Sequence, residues 1–218
     1  MKFYETDSQA GAMKKATEIL ETAIKKKAAD GAKYFSIGLS GGKTPLAWFD
    51  YLAASFDPPE NIVLNVYWVD ERCVEFDSAE SNCGNAWRHW LRQLYQRHPG
   101  QVRMHPLFSA EDKAYREMPP LDMIFLGMGA DGHTASWFPG EIYYSLPGKT
   151  VRVPAGEEHS ERITMTLAAV LEAKEIIFMF YGQEKRDLFV EIWDDDRSDM
   201  PTGLLKRAGN KITVIWSE

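Results

Sequence analysis

Five short apolar runs limit what this chain can fold into. Residues 34–39, 62–69, 121–126, 175–181 and 212–216 are rich in β-branched and aromatic side chains, and the first four stop at a glycine or a charged turn. Amphipathic segments lie between them. Ser8 can cap a helix in which Met13, Ala16, Leu20, Ala23 and Ile24 share one face and Lys14, Lys15, Glu18 and Lys25 the other, ending near Asp30-Gly31. Further helices are predicted over residues 45–54, from Ser81-Asn82 through Trp87, Trp90, Leu91 and Leu94, and over 183–193. An edge strand near Phe3 and a weaker extended piece at 163–166 complete the elements, with 57–59 and 143–161 read as loops. Apolar strands alternating with amphipathic helices predict an α/β fold with a mainly parallel sheet and helices on both faces. No repeat or flexible spacer divides the chain, so one domain over residues 1–218 is expected.

Composition narrows the function. With 218 residues, 44% of them hydrophobic, the chain can bury one substantial core. A net charge of -7 and the absence of a long Lys/Arg block argue against nucleic acid or an anionic membrane as partner. Cys73 and Cys83 are too few for a disulfide framework and stand in no Cys-x-x-Cys pattern, so reduced thiols and a cytoplasmic location are expected. Neither a leader-like apolar segment nor a run long enough to span a bilayer is present in this sequence.

The chemistry-bearing residues gather where strands end. The run at 121–126 breaks into Gly127-Met128-Gly129-Ala130 and then presents Asp131 and His133. A carboxylate beside an imidazole fixes its tautomer, which is how a general base is prepared. A structural histidine capping the turn is the plainer alternative, and one His beside one Asp lacks the repeated spacing of a metal site. Earlier, Ser40-Gly41-Gly42-Lys43-Thr44-Pro45 lies between a strand and a helix, with Thr44 expected as cap and Pro45 at the first helical position. Glycine amides beside a helix N-terminus cradle phosphate. Gly38-Leu39-Ser40-Gly41-Gly42 also matches a nucleophile elbow, but the helix would start too late and no histidine follows His159. Gly42-Lys43-Thr44 resembles the end of a Walker A loop, yet its first glycine would fall on Ile37.

Asp70-Glu71-Arg72 ends a strand on the same sheet edge. Arg72 can clamp a phosphate or carboxylate, with Asp70 or Glu71 orienting it or accepting sugar hydroxyls. Lys185 and Arg162 are further candidate anion ligands.

Taken together these blocks, with Arg162-Ile163-Thr164-Met165-Thr166, Gly182 with Lys185, and Met200-Pro201-Thr202-Gly203-Leu204-Leu205, resemble the 6-phosphogluconolactonase family over nearly the whole chain. The resemblance implies a three-layer α/β/α Rossmann-like domain and hydrolysis of 6-phospho-D-glucono-1,5-lactone, the second step of the oxidative pentose phosphate pathway. His133 and Asp131 are then catalytic, and Gly41, Gly42, Lys43, Thr44, Asp70, Arg72, Arg162 and Lys185 bind the substrate and its phosphate. No metal or organic cofactor is implied, and the expected partner is a small sugar-phosphate lactone met by a monomer or small homo-oligomer. The related glucosamine-6-phosphate deaminases resemble this chain too, but carry Asn-Glu-Pro where Trp137-Phe138-Pro139 stands here and tyrosine in place of Arg72. A non-catalytic sugar-phosphate sensor on the same fold is the remaining alternative. Lys43 departs from the small hydroxyl residue frequent in lactonases.

Overall fold

The computed structural model describes residues 1–156, 159–195, 197 and 199–218. In chain order the elements are β1 (Lys2–Thr6), α1 (Gln9–Ala29), β2 (Tyr34–Leu39), α2 (Lys43–Ser55), β3 (Val63–Trp68), β4 (Asp70–Arg72), α3 (Asn82–Ala86), a π-helical turn (Trp87–Leu91) and α4 (Arg92–Arg97). They continue with β5 (Val102–His105), α5 (Lys113–Arg116), β6 (Met123–Leu126), β7 (Thr150–Val153), β8 (Arg162–Met165), α6 (Leu167–Leu171), β9 (Glu175–Tyr181), α7 (Gln183–Asp194), a 3-10 stretch (Gly203–Lys211) and β10 (Ile212–Ser217).

Among the described residues, seven strands form one sheet in the order β1-β10-β9-β6-β2-β3-β5, all parallel. The fold is the expected three-layer α/β/α arrangement. Its central strands are buried over most of their length, as a sheet covered on both faces requires: β6 and β10 carry no exposed residue, and β2 and β9 expose only their first, Tyr34 and Glu175. Helix α1 starts where predicted, with the Ser8 hydroxyl accepting from the Gly11 N–H at 3.1 Å, and it buries Ala12, Ala16, Leu20 and Ile24 at helical spacing. The tryptophans mostly serve the core: Trp48, Trp68, Trp90 and Trp137 are fully buried, and Trp90 meets Phe49 and Phe56 at centroid distances of 6.1 and 5.7 Å. No helix among the described residues is long and apolar enough to cross a membrane.

Three differences from the sequence reading matter. Thr44 does not cap α2. Gly42, at φ +102°, turns the chain straight into the helix, which begins at Lys43 and puts Thr44 and Pro45 inside the first turn. The stretch 143–161 is not all loop, because β7 pairs antiparallel with β8, and β8 with β4, to make a second, three-stranded sheet. Strand β5 was not predicted at all; it pairs with β3 at the edge of the large sheet and buries only Val102, so its apolar signal is weak.

From β2 the large sheet runs outward to β3 and β5 on one side, and through β6, β9 and β10 to β1 on the other. The order therefore reverses between β2 and β6. Ligands of open α/β sheets bind in the crevice beyond the carboxyl ends of such a strand pair, and here those ends lead into Ser40-Gly41-Gly42 and Gly127-Met128-Gly129.

Candidate active site

At the switch point the Ser40 hydroxyl donates to the Phe125 carbonyl at 2.9 Å, tying the glycine loop to the end of β6. Ser40 is buried and its hydroxyl is engaged, which removes the nucleophile that the elbow motif would need. Beyond it, α2 opens with no side chain capping its first turn, so its N-terminal N–H groups and dipole are offered to an anion. Gly41 passes so close to α3 that an added Cβ would lie 1.7 Å from Asn82 Oδ1.

The Asp70–Arg72 segment is extended, so its side chains alternate. Asp70 and Arg72 face the cleft. Of the two carboxylates expected to orient Arg72 or receive a sugar hydroxyl, Asp70 lines the cleft, whereas Glu71 faces away and accepts the Arg72 backbone N–H on Oε1 at 2.8 Å. Its carboxylate accepts from the Asn82 and Cys83 amides, both at 2.7 Å, and so holds the N-terminus of α3. Burial pushes the Glu71 carboxyl up against those amide bonds, which act to lower it. Asp70 is itself buried; it accepts from the Ser136 hydroxyl at 2.7 Å, and the Asn82 amide donates to its carbonyl at 2.9 Å.

Arg72 and Arg162 stand opposite each other across β4 and β8. Arg72 donates to the Glu80 carbonyl at 2.8 Å, while the buried Nε of each arginine has no hydrogen-bond partner among the described residues. Two guanidinium groups side by side with unused donors are placed to receive an anion. Burial lowers the Arg162 pKa from its ordinary value, Arg72 adds to this, and Asp70 opposes it. Lys185, in the first turn of α7, donates to the Met128 carbonyl at 2.7 Å; burial lowers its pKa, with Asp131 opposing.

The crest after β6 presents the titratable pair. Asp131 Oδ1 receives the His133 backbone N–H at 3.1 Å and lies 2.6 Å from His133 Nδ1. Burial pushes the Asp131 carboxyl up, but the His133 amide, the imidazole charge and the side-chain bond outweigh it and hold the group below its ordinary value. An ionised carboxylate only accepts, so Nδ1–H is the donor toward Asp131, and Nε2 is the ring nitrogen left for other chemistry. The crest can be this tight because Gly129 has no side chain: a Cβ there would meet His133 Nδ1 at 2.2 Å and Asp131 Oδ1 at 2.5 Å. It is braced from outside by Thr202, whose buried hydroxyl donates to the Gly132 carbonyl at 2.8 Å.

These groups enclose a cleft of about 260 Å³. Gly41, Gly42, Lys43, Thr44, Asp70, Arg72, His133, Arg162 and Lys185 all line it, and Asp131 stands behind His133. Lys43 is an exposed part of the wall. A chain with a net charge of -7 has thus gathered four cations against one carboxylate around a single small cavity. No group of three or more His, Cys, Asp or Glu side chains among the described residues is placed to hold a metal ion. Sequence reasoning missed Ser136 and Thr202 as supports, although both stand in recognised blocks, because their roles depend on contacts across the fold.

The family profile described as glucosamine-6-phosphate isomerases/6-phosphogluconolactonase matches residues 6–216. The chain belongs to this family. Among its relatives, the 6-phosphogluconolactonase 3 of Saccharomyces cerevisiae is 31% identical over 206 residues, covering 84% of this chain and 82% of the yeast protein. The GDH/6PGL endoplasmic bifunctional protein of Oryctolagus cuniculus is 33% identical over 171 residues, 71% of this chain; the match spans 21% of that much longer protein. A solved 6-phosphogluconolactonase from Shewanella baltica superposes with a TM-score of 0.83 at 25% identity, covering 100% of this chain and 98% of the other. Family membership covers both halves of the cleft, the glycine loop and the Asp131–His133 crest, within one matched segment.

Proposed function

We propose that this chain is a 6-phosphogluconolactonase: it hydrolyses 6-phospho-D-glucono-1,5-lactone to 6-phospho-D-gluconate in the oxidative pentose phosphate pathway. It would act in the cytoplasm as one domain over residues 1–218, as a monomer or small homo-oligomer. The carrying observation is a histidine whose Nδ1 is fixed by Asp131, with Nε2 open, on the wall of a small cationic cleft. Within the family the other named activity belongs to isomerases acting on glucosamine 6-phosphate. Where the deaminases carry the glutamate of their Asn-Glu-Pro, this chain has Phe138, whose ring lies 5.2 Å from that of His133.

In the proposed reaction the 6-phosphate rests on the N-terminus of α2, at Gly41, Gly42, Lys43 and Thr44, with Arg72, Arg162 and Lys185 around it. Anchoring at that end fixes the lactone carbonyl beside His133, converting an encounter into an oriented attack. His133 Nε2 takes a proton from water as the oxygen adds to the carbonyl carbon. Asp131 holds the resulting imidazolium, and crest amides stabilise the oxyanion. Collapse breaks the bond from carbon to ring oxygen, and His133 returns its proton to that oxygen. The product carboxylic acid then ionises, so each turnover releases one proton. Every group in these steps is a side chain or amide of this chain, or water.

A proton-release assay on freshly generated 6-phosphogluconolactone, beside an ammonia-release assay on glucosamine 6-phosphate, tests the reading. Proton release alone is expected. Ammonia release without lactone turnover would replace it with the deaminase, and phosphosugar binding without either activity would leave only a sensor.

A further inference from the structure

We propose that Phe138 is a positioning residue for substrate binding: its ring face holds the Arg162 guanidinium at the cleft, and the His159 imidazole stacked on it holds the ring. The inference rests on the lactonase reading and gives a role to a residue that reading treats only as the absence of an acid.

Arg162 needs such a support. Its side chain is 15% exposed, its Nε has no partner, and its nearest carboxylate oxygen, Asp70 Oδ2, is 4.0 Å away, beyond hydrogen-bond reach. In register across the strands stands Arg72, a like charge that pushes it away. A guanidinium with so few directed bonds is located mainly by what lies against its plane. Phe138 does so: the Arg162 carbon Cζ sits 5.4 Å from the ring centroid, within the range of about 6 Å in which an aromatic face attracts a cation.

The ring is itself fixed. His159 stacks on it with centroids 4.2 Å apart and planes 4° from parallel. That imidazole is only 9% exposed and lies 3.8 Å from Glu141 Oε1. Next to Phe138, Trp137 donates its indole N–H to the Met165 carbonyl at 2.8 Å. This bond ties the segment that carries the ring to β8, the strand that begins with Arg162. A carboxylate at position 138 would instead pair with Arg162 and cancel the charge a phosphate needs. Aromatic character at this position therefore keeps Arg162 both located and unneutralised.

The test compares wild type with Phe138→Leu, Phe138→Tyr and a Phe138→pentafluorophenylalanine substitution, which keeps the ring's shape and reverses its quadrupole. Substrates are 6-phosphogluconolactone and glucono-1,5-lactone lacking the phosphate. Removing the attractive face in Phe138→Leu or the fluorinated ring should raise KM for the phosphorylated lactone by about fivefold, with kcat within about twofold. The phosphate-free lactone, which offers Arg162 no phosphate, should lose less in kcat/KM than the phosphorylated one, and Phe138→Tyr should restore KM. Titration of inorganic phosphate should show the same weakening without any turnover. Equal losses on both lactones, or unchanged KM and phosphate affinity in the fluorinated variant, would overturn the inference. Should Phe138→Leu fail to fold, the near-isosteric fluorinated ring still decides it. A wild type that binds phosphate but hydrolyses neither lactone would remove the lactonase reading alone.

Discussion

One carboxylate oxygen of Asp131 serves two donors of the same residue, the backbone N–H and Nδ1 of His133. The imidazole is thus held in orientation, and in the proposed mechanism base catalysis falls on Nε2. His133→Ala should lower kcat by about 10²–10⁴-fold with KM within about threefold, measured by proton release on fresh lactone. An anchor behaves differently. Burial depresses the Lys185 pKa, so as pH rises its ammonium loses charge before an ordinary lysine, at 10.5, would. In the free enzyme kcat/KM should accordingly fall on the alkaline side below that value. Lys185→Arg keeps the charge at every accessible pH and should abolish the limb. A limb unchanged in Lys185→Arg would assign it to another group.

At the scale of elements, the cleft depends on how closely the glycine loop passes α3. Gly41→Ala would drive Asn82 off the Asp70 carbonyl, because the new Cβ would lie 1.7 Å from Asn82 Oδ1. Thermal melting should show a loss of about 1–3 kcal/mol, and KM should rise as the N-terminus of α2 shifts. Pairing the change with Asn82→Ala should recover part of the stability. Glu71→Gln should be costly for a related reason, since one of its oxygens, each receiving a 2.7 Å bond from an α3 amide, becomes an NH₂ facing another donor. A loss of about 1–3 kcal/mol in chemical denaturation is expected. These two sites mark what was legible in the sequence. The long apolar runs and helix faces could be read because burial imposes its own period, and glycines with Asp131 and His133 because their types carry the chemistry. Strands β4 and β7 could not: both are very short, and β4, the polar one, is held by pairing with β8 far along the chain. Glu71 could have been separated from Asp70 and Arg72 by alternation alone, had the segment been read as extended. The Ser136–Asp70–Asn82 contacts exist only once β4, the start of α3 and the loop after β6 meet.

For the whole molecule, the strands flanking the switch point carry different loads at their two ends. The carboxyl ends open to form the cleft. Toward the amino ends, β2 and β6 are fastened by Asp122: its backbone N–H donates to the Ser36 carbonyl at 2.8 Å, and the Ser36 N–H returns a bond to its side chain at 2.9 Å. Lys27 from α1 and Lys174 before β9 pair with the same carboxylate, Lys174 at 2.8 Å. Burial pushes the Asp122 carboxyl up, but the Lys174 and Lys27 bonds and the Ser36 amide outweigh it and leave the pKa below the ordinary 3.8. A depressed carboxylate stabilises the fold above its unfolded value and loses that stabilisation as pH falls toward its folded one. Asp122→Asn should therefore cost about 2–3 kcal/mol at pH 7, where a charged acceptor is lost between two ammonium groups. The gap between wild type and variant should shrink from about pH 4 downward as the wild-type carboxyl protonates. Because Asp122 lies at the end of the strands away from the cleft, kcat and KM of the folded variant at pH 7 should match wild type. Denaturant melts across pH 2.5–7, read beside kinetics at pH 7, check both halves: a gap constant over that range would deny Asp122 its ionic role, and a changed KM would mean that the two ends of the sheet are coupled.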